Sequence, residues 1–273
     1  MRVMTLHPAK NPMPSALEYI RQLQARGRYH FSTDEACEAL GCSMVATQAA
    51  LRRLKEKRLI ADPYRGFHVV LLPQYRELGC LPAEQFVPEL MAHLQEPYYA
   101  CLLSAAAFHG AAHQAPMVFQ VMVRRTRRGL AGGSVRVAFI GRADMEATPV
   151  VERNTATGRL RIATPEATAL ELVGYAQHCG YLDNVATVLA ELAEILDGPR
   201  LVQEARRCPL AWVQRLGYLL GLVAAHDLAE QLEGTLVERQ AFPVALAPWK
   251  DTVGAVRDAR WKVALNVEVE PDL

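Results

Sequence analysis

The sequence predicts an α+β protein: a small N-terminal helix-turn-helix with a β wing, then a larger mixed α+β C-terminal body. Three observations point that way. Between Ser32 and Leu72, two short helical patterns joined by Gly41 run into a hairpin pattern. Positive charge gathers there too: through Leu72 there are 11 Lys and Arg against 6 Asp and Glu, net +5, while the rest holds 19 against 23, net −4. Beyond Ala83, helix-period and strand-period runs mix without βαβ alternation or a repeat.

Each element has a local reason. The start, MRVMTLHPAKNPMP, has no apolar core of signal-peptide length and is expected to be a flexible arm over residues 1–13. A helix is expected from Pro14 to Arg26. Ser32 or Thr33 can cap the next, with Asp34 and Glu35 well placed in its first turn. Ala36, Cys37 and Leu40 then recur as one apolar stripe. Gly41 supplies a left-handed residue to end that helix, and Ser43 can cap the following one. There Thr47, Ala50, Leu51 and Leu54 share a face that should pack on the preceding helix. Leu59-Ile60 begins a strand, Tyr64-Arg65-Gly66 forms the tip, and Phe67 to Leu72 returns as the wing. The expected domains are a winged helix at 14–72, a connector at 73–82 and the body at 83–273.

The outward face of the second helix of the pair carries Val45, Ala49, Arg52 and Arg53, flanked by Gln48 and Lys55. A helix in this position enters the major groove of DNA. Small residues near its start permit close approach to base edges, and long cations reach phosphate or guanine. The expected DNA contacts are Ser43, Val45, Gln48, Ala49, Arg52, Arg53, Lys55, Lys57, Arg65 and His68. Of these, Arg52, Arg53 and Gln48 are expected on bases, and Lys55, Lys57, Arg65 and His68 on phosphates. A solvated basic face, or a helix-turn-helix used for protein docking, is the competing account. Arg58 stands where such modules often place Gly. The net charge of +1 for the intact chain argues against non-specific coating of nucleic acid.

Half of the 273 residues are hydrophobic (51 %), enough for a real core and far from disordered composition. No window approaches the roughly 18 uninterrupted apolar residues of a membrane helix. The six cysteines, Cys37, Cys42, Cys80, Cys101, Cys179 and Cys208, form no CxxC pair and read as small buried hydrophobes in a reducing, cytoplasmic setting. Cys37 and Cys42 lack the further ligands zinc would need.

In the body, helices are expected at Ala83–Glu96 and Tyr98–His109, the second closed by Gly110. Strands follow at Met117–Arg124, Val135–Ile140, Thr148–Val151 and Leu160–Ala163. Helices are expected again at Thr164–Gln177, Tyr181–Leu196, Pro199–Arg207 and Leu210–His226, then a last strand from Lys262 to Glu270.

LLSAAAFHGAA (Leu102–Ala112), the alternating strands after it, IATPEATALELV (Ile162–Val173) and WVQRLGYLLGLV (Trp212–Val223) are similar to the AbiEi family of antitoxins. With the winged helix, the resemblance covers nearly the whole chain. Ala167 to Ala169 departs from it, since relatives tend to have a charged and a longer apolar residue there. The resemblance implies a winged helix that represses its own operon and a C-terminal domain that neutralises a toxin. That toxin would be nucleotidyltransferase-like, encoded nearby in a type IV toxin–antitoxin or abortive-infection system, and countered without a stable complex.

Other residues invite sharper readings. His109 and His113 have metal-pair spacing, but Gly110 between them spoils the shared face. Glu166 and Glu171 follow a Thr164-Pro165 helix start and are explained by the helix dipole. Glu268 and Glu270 share a face of the last expected strand, without the Asp and Lys of a nuclease site. No phosphate-cradling GxxxxGK and no GxSxG elbow is present. Arg124, Arg125, Arg127 and Arg128 put four arginines in five residues of an expected hairpin with Gly132-Gly133. They are either a solvated loop or a second anion-binding patch. The expected protein is therefore a cytoplasmic autorepressor and antitoxin, not an enzyme, with no catalytic, metal or cofactor site. Its partners are double-stranded operator DNA, expected as inverted repeats, and the toxin, with no membrane. A small-molecule-responsive regulator is the alternative, and a DNA-targeted nuclease or other enzyme the third option.

Overall fold

The computed structural model describes residues 13–111 and 116–272. The arm expected at 1–13 lies outside them apart from Met13, and so does His113. Two units emerge: Met1–Gln95 with Leu130–Arg136 and Thr155–Gly158, and Glu96–Gly129 with Val137–Asn154 and Arg159–Leu273.

In the first unit the Ser15 hydroxyl accepts from the Glu18 N–H and starts α1 (Ala16–Ala25). A short strand β1 (His30–Ser32) leads directly into α2 (Thr33–Leu40). Ser32, not Thr33, is the cap: its hydroxyl accepts from the Glu35 N–H, and Glu35 Oε2 accepts from the Ser32 N–H at 2.7 Å. Arg28 adds an ion pair to Glu35 at 2.6 Å. Gly41, at φ 59°, closes α2, and α3 (Met44–Glu56) follows. The wing is β2 (Ile60–Tyr64) and β3 (Phe67–Val70), joined by Arg65-Gly66 with Gly66 at φ 79°. The sheet order is β1-β3-β2, all antiparallel, with Tyr64 opposite Phe67. A bulge between Ala61 and Tyr64 accommodates Pro63, which could not donate to a regular ladder. The returning strand stops at Val70, two residues short of Leu72, and the chain passes through a 3₁₀ turn at Pro73–Tyr75 to α4 (Ala83–His93).

Tyr19, Ile20, Leu23, Phe31, Ala36, Leu40, Leu51, Leu54, Ile60 and Val70 form the core of this unit. Each large aliphatic or aromatic side chain there contributes about 1.5–3 kcal/mol by leaving water. One row of this core, Thr47, Leu51 and Leu54, is the buried face of α3, which fixes which residues of that helix face outward.

A six-stranded sheet is formed by β4 (Tyr98–Ala100), β5 (Phe119–Val123), β6 (Arg127–Gly132), β7 (Val135–Gly141), β8 (Val150–Thr155) and β9 (Gly158–Ala163), in the order β6-β7-β5-β4-β9-β8; most of its residues belong to the second unit. β4 runs antiparallel to β5 and parallel to β9, and β5 runs parallel to β7. The helix expected over Tyr98–His109 is thus a buried strand followed by α5 (Leu102–Phe108). β6 is an additional strand that takes in Arg127 and Arg128.

Helices then dominate: α6 (Pro165–Gly174), α7 (Tyr181–Leu192), α8 (Gly198–Ala205), α9 (Leu210–Leu222) and α10 (His226–Glu238). α10 was not expected, and the helix before it ends at Leu222 rather than His226. Two tryptophans pack on bare helix backbone, Trp212 against Gly174 of α6 and Trp261 against Gly217 of α9; a Cβ at either glycine would collide with the indole. A small sheet of β10 (Val244–Ala245), β11 (Val256–Asp258) and β12 (Val263–Leu265), ordered β10-β12-β11, ends the chain. The last expected strand shrinks to Val263–Leu265, so Glu268 and Glu270 lie off it. The Glu270 N–H instead donates to Asp183 at 3.0 Å. No helix among the described residues is long and apolar enough to cross a membrane.

Candidate nucleic-acid interface

α3 begins at Ser43, whose hydroxyl accepts from the Ala46 N–H at 3.3 Å; this expected contact residue therefore already serves as a cap. With Thr47, Leu51 and Leu54 inward, helical geometry turns Val45, Ala49, Arg52 and Arg53 outward, with Gln48 and Lys55 beside them. Val45, Gln48, Arg52, Arg53, Lys55 and Lys57 are exposed and Ala49 partly so. Arg65 is exposed at the wing turn. These residues form one outward surface on α3, with Arg65 on the wing of the same unit.

The cations differ in what they already hold. Lys55 is ion-paired with Asp62, the residue lifted out by the wing's bulge. Arg58 approaches Glu77 at only 3.9 Å, with both side chains largely exposed, so solvent screens that pair. Arg52, Arg53, Lys57 and Arg65 have no carboxylate partner among the described residues. Arg53 and Lys55 also lie in the last turn of α3, where cations favour the helix dipole by about 0.3–1 kcal/mol each. That structural role covers part of the basic cluster and leaves Arg52 and Arg65 unexplained. The outward face also carries the exposed carboxylate of Glu56.

His68 requires a correction. It is buried at 9 % exposure, shares a hydrogen bond with Thr33 Oγ1 at 2.9 Å and stacks on Phe31. Burial lowers its pKa, so the ring is neutral at pH 7 and fills the wing's inner face. It has neither the charge nor the access for a phosphate. Arg58 does take up the left-handed turn where Gly was the expectation, at φ 51°.

The arginine run of the second unit is only partly a loop. Arg124 is ion-paired with Glu146. Arg127, on β6, meets Glu96 at 2.8 Å as an ion pair and lies 5.9 Å from the Phe139 ring centre. Arg125 and Arg128 remain exposed without a partner among the described residues.

A third constellation is internal. Glu171 of α6 is fully buried, and its Oε1 accepts from the Tyr99 hydroxyl at 2.5 Å and from Arg142 at 3.0 Å. Arg142 also donates to Asp144 at 2.9 Å and lies over the Trp212 ring. Burial pushes the Glu171 carboxyl up to about 7, against the lowering pull of Tyr99 and Arg142. The helix-dipole account of Glu171 is therefore wrong: it sits in the second half of α6 as the anchor of a buried polar cluster. Glu166 does lie in the first turn, beneath the Thr164 cap, and its Oε1 accepts from the Asp197 N–H at 3.2 Å. His109, the described half of the other pair, has its ring Nε2 2.7 Å from the Ala163 carbonyl.

Fold and surface together define a class: a winged helix-turn-helix with unpaired cations on its outward helix, carried in one chain with a larger α+β unit. Residues 98–222, most of that larger unit, match the family model of the AbiEi antitoxin C-terminal domain. The fold is similar to that in the crystal structure of the RV2827C protein from Mycobacterium tuberculosis. That likeness has a TM-score of 0.63 at 17 % identity, over 93 % of this chain and 92 % of that one. No curated protein sequence matches the chain.

Proposed function

We propose that this chain is a DNA-binding autorepressor and antitoxin acting in the cytoplasm. The antitoxin role is supported by the AbiEi domain at residues 98–222. The DNA-binding role is supported above all by the exposed, unpaired set Arg52, Arg53, Lys57 and Arg65 on α3 and the wing. In this reading α3 lies in the major groove of an operator built as inverted repeats, Arg52, Arg53 and Gln48 meet bases, and Lys57 and Arg65 hold phosphates. Lys55, already neutralised by Asp62, is a lesser contact, and Arg125 and Arg128 form a second anion patch. The toxin countered is nucleotidyltransferase-like, encoded beside this chain, and neutralised without a stable complex.

Two assays on the full chain test the reading. In a gel-shift titration the chain should prefer its own promoter duplex to a scrambled one, and Arg52→Ala with Arg53→Ala should sharply reduce that preference. Lys57→Ala or Arg65→Ala should weaken all duplexes alike and flatten the salt dependence by about one unit per lost contact. The Arg52/Arg53 double variant should still rescue cells expressing the neighbouring toxin. No preference for the promoter duplex would remove the repressor half, and failure of the wild type to rescue would remove the antitoxin half.

A further inference from the structure

The outward face of α3 changes chemistry along its length. Val45, in the first turn, is 77 % exposed, and Ala49 follows one turn later. Arg52 and Arg53 come next, and Glu56 closes the face. The inward face is already filled by Thr47, Leu51 and Leu54, so Val45 adds nothing to the core beneath it. Three residues after Val45, and therefore beside it on the helix surface, the exposed Gln48 amide makes no hydrogen bond among the described residues.

The first half of this surface thus offers a branched apolar group, a small alanine and one free amide, with no charge. In the major groove only thymine presents a methyl group, and adenine presents the donor–acceptor pair that a glutamine amide matches. Cations and the Glu56 carboxylate are confined to the second half. Resting on the DNA-binding reading above, we propose that Val45 reads the 5-methyl of a thymine and Gln48 an adenine, so that the N-terminal half of α3 selects A·T pairs. The carboxylate of Glu56, repelled by phosphate, orients the helix with its N-terminal end toward the bases.

The test uses the full chain and the duplexes it enriches from a randomised library. Each thymine of an enriched duplex is replaced in turn by deoxyuridine, which removes the methyl and nothing else. One position in each half-site should lose about fourfold in affinity, the equivalent of ~0.8 kcal/mol for one methyl-sized group. Val45→Ala should bind the thymine duplex more weakly and no longer distinguish it from the uracil one, whereas Val45→Ile should retain the difference. Gln48→Ala should relax the preference at an adjacent A·T pair. Enrichment without a uracil-sensitive position overturns the proposal and leaves DNA binding intact, as does a uracil effect that persists in Val45→Ala. A library that yields no enriched sequence overturns the DNA-binding reading itself, and this proposal with it.

Discussion

On α3, Arg52 and Arg53 reach into solvent with no carboxylate against them, and Lys57 caps the helix in the same state. In the second unit, Arg142 is enclosed against Glu171 and Asp144, Arg127 meets Glu96, and Arg124 meets Glu146. Both units contain a run of basic residues of similar density, so density alone does not mark a polyanion surface. What separates them is the carboxylate each fold brings to the cation. Lys55 shows the same rule inside α3, since the bulge in β2 delivers Asp62 to it while its neighbours stay free.

The largest effect expected from this contrast is on operator affinity. Arg52→Ala and Arg53→Ala should each cost ~1–3 kcal/mol on a specific duplex, and Lys55→Ala clearly less. Equal losses at Arg52 and Lys55 in a binding titration would show that pairing with Asp62 does not withdraw a cation from DNA.

The buried side of the contrast predicts a pH dependence. Burial raises the Glu171 carboxyl from its ordinary 4.5 to about 7, so the folded chain keeps a proton that the unfolded chain releases. The stability this group contributes is fully present below pH 4.5 and is lost as pH rises through about 7. At about 1.4 kcal/mol per pH unit, the loss amounts to no more than ~3.5 kcal/mol. Glu171→Gln cannot titrate and should lack that decline, so the difference between wild-type and variant unfolding free energies should fall across the window. A difference that does not change across the window would mean that Arg142 holds the carboxylate ionised throughout.

The smallest effects concern the arginine run. Arg127→Ser removes a partly buried ion pair and a ring contact and should cost about 1 kcal/mol. Arg125→Ser with Arg128→Ser should stay within ~0.5 kcal/mol in a thermal melt, as surface changes do. A large loss from the Arg125/Arg128 pair would place these cations with the structural set.

The winged helix was legible because its signals are local. Ser32 and Glu35, Gly41, Ser43 and the Thr47/Leu51/Leu54 row each act within a few residues of themselves. The α+β class of the larger unit, and three of its expected strands to within two residues, were readable for the same reason. β4 was not, because three buried residues, Tyr98 to Ala100, look the same at the head of an apolar helix as in a central strand. α10 did carry a signal, since Ala229, Leu232 and Leu236 repeat at helical spacing, but a glycine and several charges dilute it. The site was harder. His68 alternates within the wing like any exposed residue, and only the position of Phe31 and Thr33 shows that it points inward. For Glu171 a clue was available: a lone carboxylate between Leu170 and Leu172, in a helix apolar on nearly every side, requires a partner. That partner, Arg142, lies 29 residues away, beyond the reach of spacing arguments.

The tryptophans packed on Gly174 and Gly217 have an optical consequence. All three tryptophans of the chain, Trp212, Trp249 and Trp261, belong to the second unit. Indole emission therefore reports on the second unit alone, while the winged helix contributes to circular dichroism without contributing to that signal. The protein carries a built-in probe by which denaturant melts followed in the two spectroscopies separate the unfolding of one unit from the other, with no label attached.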